Sequence, residues 1–296
     1  MIENKSEQAG IDREEGYIEV SGSKIWYERV GKKENTPLIV LHGGPGFTHY
    51  YLEPLEKLAD GKQVIFYDQL GCGKSDRPEG DFSWTVEYFV KELETIIDSL
   101  NLKDFYILGH SWGGALAIEY FLKNPKSVKG MILASPLISS SEWEGECKGL
   151  IKTLSPKTQE ILLGKNTQST SPEEYTKATD EFYENFFCRI KPTPKIIKKS
   201  IEEHGEETYT SMWGSEDFKP TGTLKNYNIS PRLSQVSIPV LFTCGKFDEA
   251  TPLSVKKWSN LIPNSRVAVF EKSGHFPHIE EEKPYLETIQ DFLNSL

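Results

Sequence analysis

Ser111 sits in Gly109-His110-Ser111-Trp112-Gly113-Gly114, where a strand-forming run from Phe105 ends and a helix-forming run begins at Ala115. A sharp strand-to-helix turn needs small residues on either side of its apex, and Gly109 and Gly113 supply them. Such a turn holds a serine in a strained backbone conformation. Its hydroxyl points off the top of a sheet, and the following N–H groups face the same way. The chemistry this suits is acyl transfer by an activated serine. An ordinary Gly/Ser turn is the alternative, and the strand before the motif and the helix after it argue against that.

A serine hydroxyl is a poor nucleophile until a base takes its proton, and the base needs an acid to orient it. Of the six histidines, His275 follows the strand-like run Arg266 to Phe270 on a Ser273-Gly274-His275 loop, at the end where strand C-termini gather. His278, three residues later, is its rival. His42 belongs to a glycine-rich loop and His110 to the serine turn itself; His49 is placed near the site, and His204 reads as a solvated surface residue. The expected acid is Asp248, which follows the run Val240 to Cys244 and so lies at the same sheet edge. The chain order Ser111, Asp248, His275 is that of one sheet-based hydrolase architecture.

Negative charge develops on the substrate oxygen during attack, and donors must await it. His42-Gly43-Gly44-Pro45-Gly46 follows the first buried strand, where glycines let the backbone approach closely and turn its N–H groups inward. The N–H groups of Gly44 and Trp112 are the expected pair of donors. Gly71-Cys72-Gly73-Lys74-Ser75 has the look of a phosphate-binding loop, but the motif needs glycine where Asp68 stands, so a tight turn is the better account.

These residues require a scaffold of strands alternating with helices. Gly16 to Val20 and Lys24 to Val30 form a hairpin pattern around Ser21-Gly22-Ser23. Leu38 to Leu41 and Val64 to Tyr67 are short apolar runs of the kind buried on both faces of a parallel sheet. Tyr51 to Ala59 and Val86 to Leu100 carry helical stripes, Gly130 to Ala134 reads as a strand, and a helix marked by Leu286, Ile289, Leu293 and Leu296 closes the chain. The pattern implies an α/β fold with a mostly parallel sheet covered by helices on both faces. Residues 141–228 break the rhythm. They carry five prolines, many charged residues and aromatics such as Tyr175, Phe182 and Trp213, which fits short helices over Pro172 to Phe187 and Lys195 to His204. The expected organisation is a core of residues 1–140 and 229–296 with a helical cap of 141–228.

Composition narrows the partners. A length of 296 residues suits one large core, or a core with a lid. The net charge of −10 argues against nucleic acid and anionic membranes, whose usual footprint is a basic surface. No run of eighteen apolar residues occurs and residues 1–16 show no signal-peptide pattern. Cys72, Cys147, Cys188 and Cys244 are scattered, without metal spacing, as free thiols in a reducing cytoplasm would be.

The segments LHGGPG (41–46), FYDQLGCGKS (66–75), GHSWGG (109–114), MWGSEDF (212–218) and GKFDEATP (245–252) together resemble the proline iminopeptidases, α/β-hydrolase-fold serine aminopeptidases, and their relatives acting on amino-acid amides. The likeness spans nearly the whole chain. It implies release of an N-terminal residue, proline or another small or apolar one, from a short peptide or amide, with no metal or other cofactor. It also implies an acidic pair that captures the free α-amino group. Glu249 matches one member. Asp217 matches the other by position, but Ser215 replaces the family's proline and the carboxylate is one methylene shorter, so Glu216 competes for the role. Two rival readings are a general esterase, lactonase or amino-acid amidase of the same fold, and a non-catalytic ligand-binding protein; the intact Ser, Asp and His set argues against the second. Oligomeric state and the preferred N-terminal residue are outside what these motifs specify.

Overall fold

A computed structural model describes residues 12–164, 170–215 and 218–296. Its centre is an eight-stranded sheet among the described residues: β1 (Arg13–Val20), β2 (Ser23–Val30), β3 (Pro37–Leu41), β4 (Gln63–Tyr67), β5 (Phe105–His110), β6 (Val128–Ala134), β7 (Val240–Gly245) and β8 (Ser265–Phe270). The spatial order is β1-β2-β4-β3-β5-β6-β7-β8. β1 and β2 form the antiparallel hairpin, β2 joins β4 antiparallel, and every later pairing is parallel.

Alternate side chains of the central strands enter opposite layers, as the two-residue period of a strand dictates. Ile39, Leu41, Ile107, Leu133 and Phe242 face α1 (Val86–Ser99), α2 (Trp112–Lys123) and a later helix, Pro252–Ser259. Leu38, Val40, Val64, Leu108 and Leu241 face the segment Tyr50–Asp60 and the closing helix Glu282–Asn294. The segment after β3 has the expected apolar spacing but winds as a 3-10 helix. Pro54 inside it removes a donor, which a tighter, shorter winding tolerates better than an α-helix. α1 starts where Thr85 accepts the Tyr88 N–H, an N-cap worth about 1 kcal/mol.

Between β6 and β7 the chain makes α3 (Ser140–Ile151), α4 (Pro156–Leu162), α5 (Pro172–Phe182), α6 (Lys195–Glu202) and α7 (Glu206–Met212); helices α8 (Pro252–Ser259), α9 (Pro277–Glu280) and α10 (Glu282–Asn294) follow β7 and β8. Ser171 and Glu174 close a capping box at the start of α5, with Pro172 at the first helical position. The helix expected to run on to Phe187 changes at Tyr183 into one π-helical turn, Tyr183–Phe187. The insert's ends are pinned together beside β6: Ser140 N–H donates to the Tyr227 carbonyl at 2.9 Å and Ile229 N–H to Ile138 at 3.0 Å.

The insert has its own aromatic interior, in which Phe182 lies 5.0 Å from Phe186 and 4.5 Å from Phe218 between ring centres. It meets the sheet domain along two backbone seams. At one, His275 N–H donates to the Phe187 carbonyl at 2.9 Å. At the other, Gly205 N–H donates to Gly46 at 2.7 Å; a Cβ on Gly46 would stand 2.8 Å from the Gly205 oxygen, and one on Gly205 would stand 2.3 Å from the Gly71 oxygen.

Candidate active site

Loops leaving the C-terminal ends of β3, β5, β6, β7 and β8 converge on one cavity of about 610 Å³. This is where ligands collect in open parallel sheets. Gly44, Ser111, Leu137, Glu249 and His275 line its floor, one or more from each loop. Trp143, Tyr183, Phe187, Ile197 and Trp213 of the insert line its roof. No Lys or Arg lines it among the described residues, whereas Asp180, Glu184 and Glu249 do.

Ser111 is the N-cap of α2 and has φ 56° and ψ −119°. That is an outlying conformation for a residue with a side chain, and three backbone bonds maintain it. Its N–H donates to Ala134 at 2.9 Å, and its carbonyl accepts from Gly114 at 2.9 Å and Leu137 at 3.0 Å. The flanking glycines are required by space: a Cβ on Gly109 would lie 2.2 Å from the Gly113 oxygen, and one on Gly113 would lie 2.2 Å from Leu41. Ser111 thus stands at the positive end of a twelve-residue helix, with its neighbours' N–H groups beside it.

His275 Nδ1–H donates to Asp248 Oδ1 at 2.7 Å, and both residues are buried. The carboxylate is held by three further donors: Ala250 N–H on Oδ1 at 2.9 Å, and Ser135 Oγ at 2.5 Å and Gly245 N–H at 3.2 Å on Oδ2. Burial pulls the His275 pKa down, but the charge and hydrogen bond of Asp248, with Glu249 and Glu280 behind, outweigh it and hold the imidazole above its ordinary value. The ring stacks on Phe187, with Trp143 edge-on, both from the insert.

The other histidines are occupied differently. His278 Nε2–H donates to the Tyr51 carbonyl at 3.1 Å, and burial pushes its pKa down to about 3. His110 sits in a chain of bonds. Gly43 N–H donates to Tyr51 Oη at 2.8 Å, Tyr51 O–H to His110 Nδ1 at 3.0 Å, and His110 Nε2–H to the His275 carbonyl at 2.8 Å. Burial, then the neighbouring His275 and His278, keep His110 neutral, so this direction of donation persists. His49 is not at the cavity: it pairs with Asp68 at 2.8 Å and packs between Trp26 and Tyr50. His204, expected at the solvated surface, is half-buried and also borders the cavity, its exposed Nδ1–H donating to Ile201 at 2.6 Å. The sequence pattern runs a helix to His204, but α6 ends at Glu202, and His204 stands in the loop before α7.

Gly44 lines the cavity with φ 113°, a conformation glycine adopts without strain. The Gly43 N–H is taken by Tyr51, whereas the Gly44 N–H has no acceptor among the described residues. The Trp112 N–H begins α2, while its indole is buried below the cavity and donates to Gln69 Oε1 at 2.9 Å. Glu249 is 7 % exposed and reaches the cavity; Glu216 and Asp217 lie outside the described residues.

Several participants escape sequence reasoning. Ser135 follows β6 as Ser111 follows β5, and this shared position is the one signal that could have exposed it. Tyr51 was legible only as an apolar helix position. Asp180 and Glu184 are spaced four apart, a spacing common to any solvated helix. Glu146 of α3 accepts the Thr251 N–H at 3.0 Å, and burial, reinforced by Asp248, raises its pKa to about 7. His42, Asp68 and Cys72 bring ligand-type atoms within 4.8 Å of one another, yet His42 Nε2 accepts the Gln69 N–H while Asp68 is occupied by His49 and Lys74. They form a hydrogen-bonded cluster. The turn at 71–75 is likewise built around Asp68, as the failed phosphate motif predicts.

Residues 36–282 match the family model for the alpha/beta hydrolase fold. A proline iminopeptidase of Heyndrickxia coagulans is 42% identical over 285 residues, covering 95% of this chain and 99% of the relative. The crystal structure of the Mycobacterium smegmatis proline iminopeptidase superposes with a TM-score of 0.88 at 30% identity, covering 95% of this chain and 98% of the other. That of VinJ gives 0.90 at 34%, covering 96% and 99%.

Proposed function

Since this chain is an aminopeptidase-type hydrolase of the proline iminopeptidase family, built on the α/β-hydrolase fold, we propose that Ser111, His275 and Asp248 form its catalytic triad and that Glu249 reads the substrate's free amine. His275 takes the Ser111 proton as the hydroxyl attacks the carbonyl of the N-terminal residue. The Gly44 and Trp112 N–H groups hold the oxyanion. His275, now an imidazolium stabilised by Asp248, protonates the leaving amine, and water releases the acyl-enzyme by the same steps.

The observation that carries this reading is that Ser111, His275, Gly44 and Glu249 line one cavity, with His275 bonded to Asp248 at 2.7 Å. A carboxylate 7 % exposed in a cavity without lysine or arginine among its described lining suits a protonated amine. Residues 141–228 act as the cap that closes over the bound residue, and an acid at 216 or 217 completes the amine site. The substrate is a short peptide or amino-acid amide with a free N-terminus, proline or a small apolar residue first, handled in the cytoplasm. Turnover of prolyl and alanyl anilides, with none of their N-acetylated forms, is the expected result. Ser111→Ala should abolish it, by about 10⁴-fold or more. Equal rates on free and acetylated substrates would sink the amine anchor.

A further inference from the structure

We propose that Gln69 is a positioning residue for the oxyanion hole: its side chain ties the loop bearing Gly44 to the turn bearing Trp112 and so sets the spacing between the two donors. The inference rests on the oxyanion assignment above. Gln69 follows β4, the strand paired with β3, and is fully buried. Its Nε2–H donates to the His42 carbonyl at 2.9 Å, its Oε1 accepts the Trp112 indole N–H at 2.9 Å, and its backbone N–H donates to His42 Nε2 at 2.9 Å. Two of these bonds grip the residue two positions before Gly44; the third grips the side chain of Trp112 itself.

The amide group is suited to this because it presents a donor and an acceptor at one end of a short chain. The His42 carbonyl can only accept and the indole N–H can only donate, so no other uncharged side chain of this length satisfies both. A glutamate would set a carboxylate oxygen against the His42 carbonyl. Gln69 does not line the cavity and touches no substrate. Its effect passes through the two main-chain N–H groups, whose alignment matters most when the oxygen carries charge.

Gln69→Met keeps the volume and removes both side-chain bonds. The expected result is a fall in kcat on a prolyl anilide of roughly tenfold to a hundredfold, with KM within about twofold. Affinity for an aminoacyl boronic acid, whose tetrahedral adduct places an oxygen between the donors, should fall by the same factor, while inhibition by free proline stays unchanged. An unaltered kcat, or a boronate affinity that stays at the wild-type level, overturns the proposal. If Gln69→Met does not fold, Trp112→Phe carries the test. It removes the indole, and with it the donor to Gln69 Oε1, while keeping an aromatic ring and the main-chain N–H at 112, and it must lower kcat at constant KM; a wild-type kcat refutes the link. Ser111→Ala separates the two claims: if it retains turnover, the triad assignment itself has failed, whatever Gln69 does.

Discussion

The floor and the roof of the cavity are built by different means. On the floor, each group near the reaction is fixed by named hydrogen bonds: four donors hold Asp248, three backbone bonds hold Ser111, and a directed chain runs from Gly43 through Tyr51 and His110 to His275. The roof is made of short helices that present aromatic rings, packed on one another around Phe182 and joined to the floor at the Phe187 and Gly205 seams. A lattice of directional bonds fixes atoms to fractions of an ångström; ring packing specifies shape and leaves position softer. On the proposed assignment, chemistry belongs to the floor and choice of the N-terminal residue to the roof and its acids, with Glu249 on the floor holding the amine.

The largest effect expected after loss of the serine is that of Asp248→Asn, which keeps the volume but offers His275 a donor where it needs an acceptor. It should cut kcat by about 10³–10⁴-fold with KM little changed. Comparable damage to KM, measured by steady-state kinetics on the prolyl anilide, would show that the floor also selects substrate.

Glu249→Gln stands at the boundary and should sharpen the division. Losing a charge-assisted bond to the amine should raise KM for free-amine substrates roughly tenfold to a hundredfold. The same variant makes a pH prediction. His275 must be neutral to act as base, and its pKa is held above the ordinary imidazole value. Activity is thus expected above that raised value and lost as pH falls through it. Removing the Glu249 charge, one of the groups that raises it, should move the acidic limb of the kcat/KM profile to lower pH. A limb that stays put would mean that Glu249 acts on the substrate alone.

Phe182→Ala has the smallest expected effect on the reaction. The ring is fully buried within the roof, so its removal should cost about 3–5 kcal/mol in thermal or denaturant unfolding. In the protein that remains folded, kcat should stay close to wild type while KM rises. A collapse of kcat would erase the distinction between the two regions.

The floor was legible in the sequence for a physical reason. Strand C-termini at one sheet edge force their following residues together, so Ser111, Asp248 and His275 could be placed by counting strands, and the glycines at 109 and 113 announce the close approaches they permit. Tyr51 and Ser135 were missed because their hydroxyls act through partners distant in the chain, which periodicity does not encode. That half-buried His204 borders the cavity was hidden for the same reason the roof is hard to read. An amphipathic helix says that one of its faces is covered, but nothing in its own residues says by what.

The Gly46–Gly205 seam has a consequence for recombination. An insert that forms the roof of a cavity invites exchange between relatives as a route to new specificity, yet here its contact with the loop after β3 is backbone on backbone, with no room for a Cβ at 46 or 205. A transplanted insert must bring its own glycine at 205, because a Cβ there would stand 2.3 Å from the Gly71 oxygen, and the recipient must keep glycine at 46, where a Cβ would stand 2.8 Å from the Gly205 oxygen. Library designs that treat the boundaries at 140 and 229 as the sole joints overlook the seams at Phe187 and Gly205.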